Sequence, residues 1–279
     1  MIVTPEQLHL ATQYPYDPPH ESFLFVNGRA LQIVDCGRDP LVDAQVQMGD
    51  RIVRAADALA ELGAVDTPGM EARTPVLSYG SNTSPFGIDR KYARMYDQGP
   101  VVIPAIACDL DGHDVVFSPH FSCWGTIPAT IAASSQTKVR LIVLYLAPAQ
   151  LELMNDVERG PPPAREGNYV FGCLTGIGLQ LDGGATLSEV PTYVSHYGIL
   201  ALDAQPVALT AINAGGRRHP GMTGAELLVR VQQDLAVSLP RKEFLAQLIA
   251  DIDFRRACTA RLAERALSID LPGFVAESV

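Results

Sequence analysis

Cysteine is scarce and scattered: Cys36, Cys108, Cys123, Cys173 and Cys258 stand far apart in 279 residues, and no two form a C-x-x-C pair. An odd, dispersed set argues against a disulfide framework and a zinc knuckle, and most of these side chains read as small buried hydrophobes. The six histidines are equally dispersed, with none at H-x₃-H or HExxH spacing, so no metal is expected. Basic residues are short as well: 21 Lys and Arg against 31 Asp and Glu leave a net charge of −10. No local cluster reverses that balance, which opposes the counterion release that drives nucleic-acid binding. Long apolar runs are missing too. No stretch approaches the ~20 residues of a spanning helix, and the opening MIVTPEQLHL has neither a basic n-region nor an apolar h-region. Neither nucleic acid nor membrane is an expected partner, and the expected location is cytoplasmic.

What is present describes a globular chain, with 47% hydrophobic and 19% charged residues. The length is near the upper limit for one hydrophobic core, and a core domain with large terminal additions is expected. The first additions span residues 1–73 and read as a hairpin plus a helix. Phe23-Leu24-Phe25-Val26 runs into Asn27-Gly28, a strong two-residue hairpin signal. Asp39-Pro40 has the form of an N-cap with Pro at the first helical position, and Ile52, Val53, Ala56, Leu59 and Ala60 follow at helical spacing up to Gly63.

Residues 74–200 read as the core, an α+β unit built of short β-rich runs. These are Val76-Leu77, Val101 to Ile103, Val115 to Phe117, Thr126 to Ile131, Val139 to Leu146, Tyr169 to Leu181 and Val190 to Val194. One helix interrupts them, from Pro148 to about Glu158, where Gly160 and Pro161-Pro162-Pro163 end it. Residues 201–279 read as a helical segment packing on that core. Thr223-Gly224-Ala225-Glu226 has capping-box form. After Pro240, Leu245, Leu248, Ile249 and Ile252 share one helix face, with Arg255, Arg256, Arg261 and Arg265 as a solvated remainder.

The most informative segment is Tyr79-Gly80-Ser81-Asn82, which follows the strand-like Pro75 to Ser78. Its residues tolerate unusual dihedrals and expose consecutive backbone N–H groups, and such a nest binds a carboxylate without a basic side chain. Four residues alone are equally an ordinary turn, with Ser81 and Asn82 bonded to their own backbone. Ser81 is not set in a G-x-S-x-G elbow and no motif positions an Asp…His pair, so a serine hydrolase is disfavoured.

The order of the following pieces resembles the γ-glutamyl cyclotransferase family. Tyr79 to Asn82 is followed by Gly125 to Ile131, the run Val139 to Leu146, the helix from Pro148, Asp156-Val157-Glu158-Arg159-Gly160, Tyr169-Val170 and Val190-Pro191-Thr192-Tyr193-Val194. The likeness spans residues 75–200 at low identity and implies a mixed, barrel-like β core. It implies Glu158 as the catalytic residue, with Tyr79, Gly80, Ser81, Asn82 and Tyr193 around a small substrate that carries a free carboxylate. The implied reaction needs no metal or cofactor: the substrate's own α-amine attacks its γ-carbonyl, releasing 5-oxoproline and a free amine. Proximity supplies much of the rate, with effective molarities on the order of 10⁵ M. Glu158 would act as base and then acid, a role that a partly buried site favours. Backbone amides of the turn or the Tyr193 hydroxyl would meet the oxyanion.

Read without the resemblance, Glu158 is a solvent-facing acid beside Arg159. A carboxylate at a helix C-terminus is unfavourable by ~0.3–1 kcal/mol, which invites a reason for it. The alternatives are an amide hydrolase on the same fold, with Glu158 activating water, and a non-catalytic ligand-binding or interaction protein. Three features depart from the family pattern. Trp124 stands where it could reshape the pocket, Pro161 to Pro163 lengthen the segment behind Glu158, and Gly215-Gly216-Arg217-Arg218-His219 forms a late basic loop.

Overall fold

The computed structural model describes residues 2–160 and 167–277, so the segment that Pro161 to Pro163 lengthen behind Glu158 lies outside the described residues. Its first sheet element is the expected hairpin, β1 (Phe23–Val26) and β2 (Arg29–Asp35). Asn27 at φ +43 and Gly28 at φ +83 make the two-residue turn, both in the left-handed region such a turn requires.

The helix expected from Asp39 is corrected. Asp39 makes a local turn instead, its carboxylate accepting from Leu41 N at 2.8 Å. The chain then forms a second hairpin, β3 (Gln45–Met48) and β4 (Arg51–Arg54), in which Ile52 pairs with Gln47 and Val53 with Val46. These β-branched residues suit a pleated strand better than a helix. Only Ala55–Glu61 is helical there (α2, after α1 at Pro5–Ala11).

The centre is a closed five-stranded barrel. Its strands are β5 (Thr74–Ser78), β6 (Val102–Phe117), β7 (Ala129–Leu146), β8 (Tyr169–Leu181) and β9 (Thr186–Ser195). Strand β5 pairs with β7 and, in parallel, with β9; β9 pairs with β8, β8 with β6, and β6 with β7, which closes the ring. Hairpin β1–β2 extends the sheet from β6, with Phe25 opposite Ile103.

Strands β6 and β7 each join two runs that read as separate in the sequence. The ladder shifts register between Asp111 and His113, where Gly112 and, across from it, Gln136 take positive φ. This bulge carries the polar Ser134 to Thr137 through a continuous strand, which is why the segment looks like a loop in one dimension.

Alternation along the strands separates two cores. Ile103, Ala105, Ala107, Ile142 and Leu144 pack with Ile88, Tyr92 and Met154 of α3 (Pro85–Tyr92) and α4 (Pro148–Glu158). Their neighbours Val102, Ile106, Cys108, Leu141 and Val143 join the larger core that includes the C-terminal helices. Because both faces are covered, β6 is buried almost without interruption from Val102 to Leu110.

The C-terminal helices are α5 (Gly224–Asp234), α6 (Arg241–Ala250) and α7 (Ile252–Ala263). Thr223 and Glu226 form the expected capping box, Thr223 N donating to Glu226 Oε2 at 2.8 Å. The helix after Pro240 stops at Ala250, two residues before Ile252: Asp251 caps α7 by accepting from Phe254 N at 3.0 Å, which leaves Ile252 49% exposed. Two arginines read as solvated instead tie helix ends, Arg255 donating to Leu248 O and Arg261 to Leu235 O, both at 2.6 Å. Arg217 of the basic loop turns inward to the fully buried Asp114, with contacts of 3.0–3.1 Å. Of the cysteines, only Cys108 and Cys258 are buried, and Cys123 is exposed. No helix among the described residues is long and apolar enough to cross a membrane.

Candidate active site

Beside the barrel, where β5 gives way to α3, lies a cavity of about 430 Å³. Strand β5 leads into it through Tyr79 and Gly80, and Ser81–Thr83 form a single 3₁₀ turn. The turn is wedged between two close neighbours. A Cβ on Gly80 would strike the Tyr14 hydroxyl, and a Cβ on Gly87 of α3 would strike the Ser81 carbonyl, so glycine is required at both positions by close approach. The first N–H groups of such a turn are not used within it, which leaves polar backbone at the cavity wall.

Helix α4 brings Glu158 to the same cavity from the other side. Its side chain is 16% exposed, so it does not point freely into solvent. Asn82 Nδ2 donates to Glu158 Oε1 at 3.0 Å, and Lys91 Nζ lies 2.5 Å from that same oxygen. Lys91 also donates to Asn82 Oδ1 and Met154 Sδ, each at 2.8 Å. Arg159, adjacent in sequence, takes no part: it pairs with Glu277 at 2.6 Å, where the strand Phe274–Ala276 lies along β8.

Tyr79, Gly80, Ser81, Asn82, Glu158 and Tyr193 thus line one cavity. Two of these tyrosines have their hydroxyls engaged. Tyr79 donates to the Tyr193 carbonyl, and Tyr193 donates to Asn155 Oδ1 at 2.9 Å. The Tyr193 hydroxyl proton is therefore directed at Asn155.

Several cavity residues escaped the sequence reading. Gly87, Arg90, Lys91 and Arg94 all line it, and their i, i+3, i+4, i+7 spacing puts them on one helical face. That periodicity directly after the turn was the available signal. Among the described residues, three cationic side chains, Arg90, Lys91 and Arg94, face the cavity against the single carboxylate of Glu158. In a protein of net charge −10, this corrects the expectation that no local cluster reverses the acidic balance, and it suits an anionic ligand. Trp124 covers Arg90, whose guanidinium carbon lies 3.6 Å from the ring centroid.

The opposite wall is neutral. Tyr14, from the N-terminal segment, accepts from Ala129 N at 2.9 Å, and Tyr169 donates to Ala129 O at 2.8 Å. Burial holds the phenols of Tyr14, Tyr79 and Tyr169 above their ordinary range, so they stay protonated near neutral pH. His120 is buried beside them. Its Nδ1 lies 2.7 Å from Ser118 Oγ, which lies 2.6 Å from Ser195 Oγ, and its Nε2 has no hydrogen-bond partner among the described residues. Burial pulls this imidazole from 6.5 down to about 3, which keeps it neutral.

Comparison with known proteins adds little to this geometry. No family model matches the chain, and no curated protein matches it. Among solved structures, a γ-glutamyl cyclotransferase aligns over 62% of this chain and 86% of its own, at 15% identity and a TM-score of 0.32. A likeness that faint carries no argument about activity.

Proposed function

We propose that the chain is a γ-glutamyl cyclotransferase-like enzyme that cleaves a γ-glutamyl amide into 5-oxoproline and a free amine. The observation that carries the reading is that the Glu158 carboxylate and the Tyr79 to Asn82 turn face one cavity, joined by the 3.0 Å bond from Asn82. Arg90 and Arg94, the cavity cations other than the Lys91 that pairs with Glu158, support a substrate with a free carboxylate.

In this reading the cavity holds the glutamyl moiety folded, and Glu158 takes one proton from its α-ammonium. The freed amine attacks the γ-carbonyl carbon and forms the lactam C–N bond, while the turn's amides meet the oxyanion. As the original amide C–N bond breaks, Glu158 returns its proton to the departing nitrogen. The ring nitrogen releases its second proton to water, where the product amine takes it up, and Glu158 is again ionised.

A second reading, ligand binding without turnover, draws on the Lys91 ammonium that already neutralises Glu158. One experiment separates the two. The purified protein and Glu158→Gln are incubated with a panel of γ-glutamyl amino acids and amines, and products are weighed by mass spectrometry. The enzymatic reading expects 5-oxoproline from the wild type and little from the variant. Products heavier by one water identify a hydrolase. No product from any panel member, together with saturable binding, supports the binding reading.

A further inference from the structure

Both polar contacts to Glu158 converge on one oxygen. Lys91 Nζ reaches Oε1 at 2.5 Å and Asn82 Nδ2 reaches it at 3.0 Å, while no hydrogen bond from the described residues reaches Oε2. Lys91 closes the figure by donating to Asn82 Oδ1 at 2.8 Å, so lysine, asparagine and carboxylate form a triangle in which each member holds the other two. The third donor of the ammonium goes to Met154 Sδ at 2.8 Å, one helical turn before Glu158 on α4. All three donors of the ammonium are thereby used, and only 8% of the Lys91 side chain is exposed.

From this we infer that Lys91 is a positioning residue: with Asn82 it clamps Oε1 and leaves Oε2 as the oxygen that exchanges protons with the substrate. The inference rests on the cyclotransferase reading of the cavity. Its physical basis is that a carboxylate held at one oxygen by two donors has a fixed plane, with the lone pairs of the other directed at one place. The substrate's ammonium then meets an oxygen to which none of the described residues donates, and it need not displace the lysine. The clamp also links the two halves of the site, because α3 carries Lys91 and α4 carries Glu158. Lys91 has no role as a proton donor in this scheme, and it need not touch the substrate.

The test is steady-state release of 5-oxoproline by wild type, Lys91→Met, Lys91→Ala and Lys91→Arg, with thermal melts of each. A misdirected carboxylate costs on the order of 10²-fold, so Lys91→Met is expected to lower kcat by about that factor and to leave KM nearly unchanged. Propylammonium added to Lys91→Ala is expected to restore part of kcat, because a free cation can enter the vacated space. A simple loss of packing would show in the melts and would not respond to the cation. An active wild type beside an unimpaired Lys91→Met overturns the inference alone. So does a loss confined to KM, which would make Lys91 a substrate ligand, or a Lys91→Ala whose kcat is insensitive to alkylammonium ions when Lys91→Arg is also unimpaired. A wild type inactive on the whole panel overturns the cyclotransferase reading and this inference with it.

Discussion

The two walls of the cavity solve the cost of burying polar groups in opposite ways. On the wall made by α3 and α4, the groups are charged and close: Lys91 and Glu158 lie 2.5 Å apart, 8% and 16% exposed. On the wall made by the N-terminal segment, β7, β8 and the β6–β7 connection, the groups are neutral, and His120 is almost fully buried: Tyr14, Tyr169 and His120 are held by backbone atoms and serine hydroxyls. An ion is tolerable where it has both a partner and some water, whereas a fully buried group does best uncharged. Under the proposed function, proton exchange would belong to the charged wall and shape to the neutral one.

The sharpest way to break this contrast is to remove charge from the first wall. Glu158→Gln keeps the volume and removes the base, so 5-oxoproline release is expected to fall about 10²–10⁴-fold while the protein still folds, as circular dichroism would show. An active variant would move the chemistry to another group. Forcing charge into the second wall is the next largest effect. Unfolded histidine takes up a proton near 6.5, whereas His120 in the folded chain resists protonation down to about 3. Protonation thus favours unfolding, and the stability that neutral burial confers is complete above 6.5 and lost as the pH falls toward 3. The slope from this residue is at most ~1.4 kcal/mol per pH unit. Urea titrations between these limits should show a shallower pH dependence in His120→Gln than in the wild type.

Tyr14→Phe tests whether the neutral wall is held by specific hydrogen bonds. Ala129 N would lose its acceptor in a buried place, at a cost of ~1–3 kcal/mol in denaturant unfolding, with a smaller change if water replaces the hydroxyl. The least effect is expected at the rim, where Trp124 is 41% exposed. Trp124→Ala removes its ring from Arg90, worth ~0.5–1 kcal/mol at such a site, and should alter substrate preference across the panel more than stability.

Local signals were read well where their physics is local. The Asn27-Gly28 turn, the span of α4 from Pro148 to Glu158 and the capping box at Thr223 each follow from backbone preferences of a few adjacent residues. The helix expected after Asp39 failed for the same reason in reverse. Ile52 and Val53 fit a helical period, but their pairing with Gln47 and Val46 was stronger, and periodicity cannot see a partner strand. The continuity of β6 and β7 was hidden by a bulge whose polar residues imitate a loop.

The candidate site divides along the same line. Tyr79 to Asn82 and Glu158 could be named because they sit in short motifs whose order resembles a family. Lys91 could have been noticed from its spacing with Gly87, Arg90 and Arg94, but not its partner, which lies 67 positions further on. Tyr14 and His120 carried no signal at all: the hydroxyl of Tyr14 meets an amide 115 positions away, and His120 is defined by what it lacks.

By itself, then, the chain's sequence determined the α+β composition, the ends of elements such as α4, and which short segments carry the side chains that the proposed function uses. Those properties are set by backbone dihedrals and side-chain types among neighbours. Only closure of the five-stranded barrel decided which groups meet, how deeply each is buried and therefore which can keep a charge. Desolvation and ion pairing depend on distances in space, and those exist only once the ring from β5 to β9 is complete.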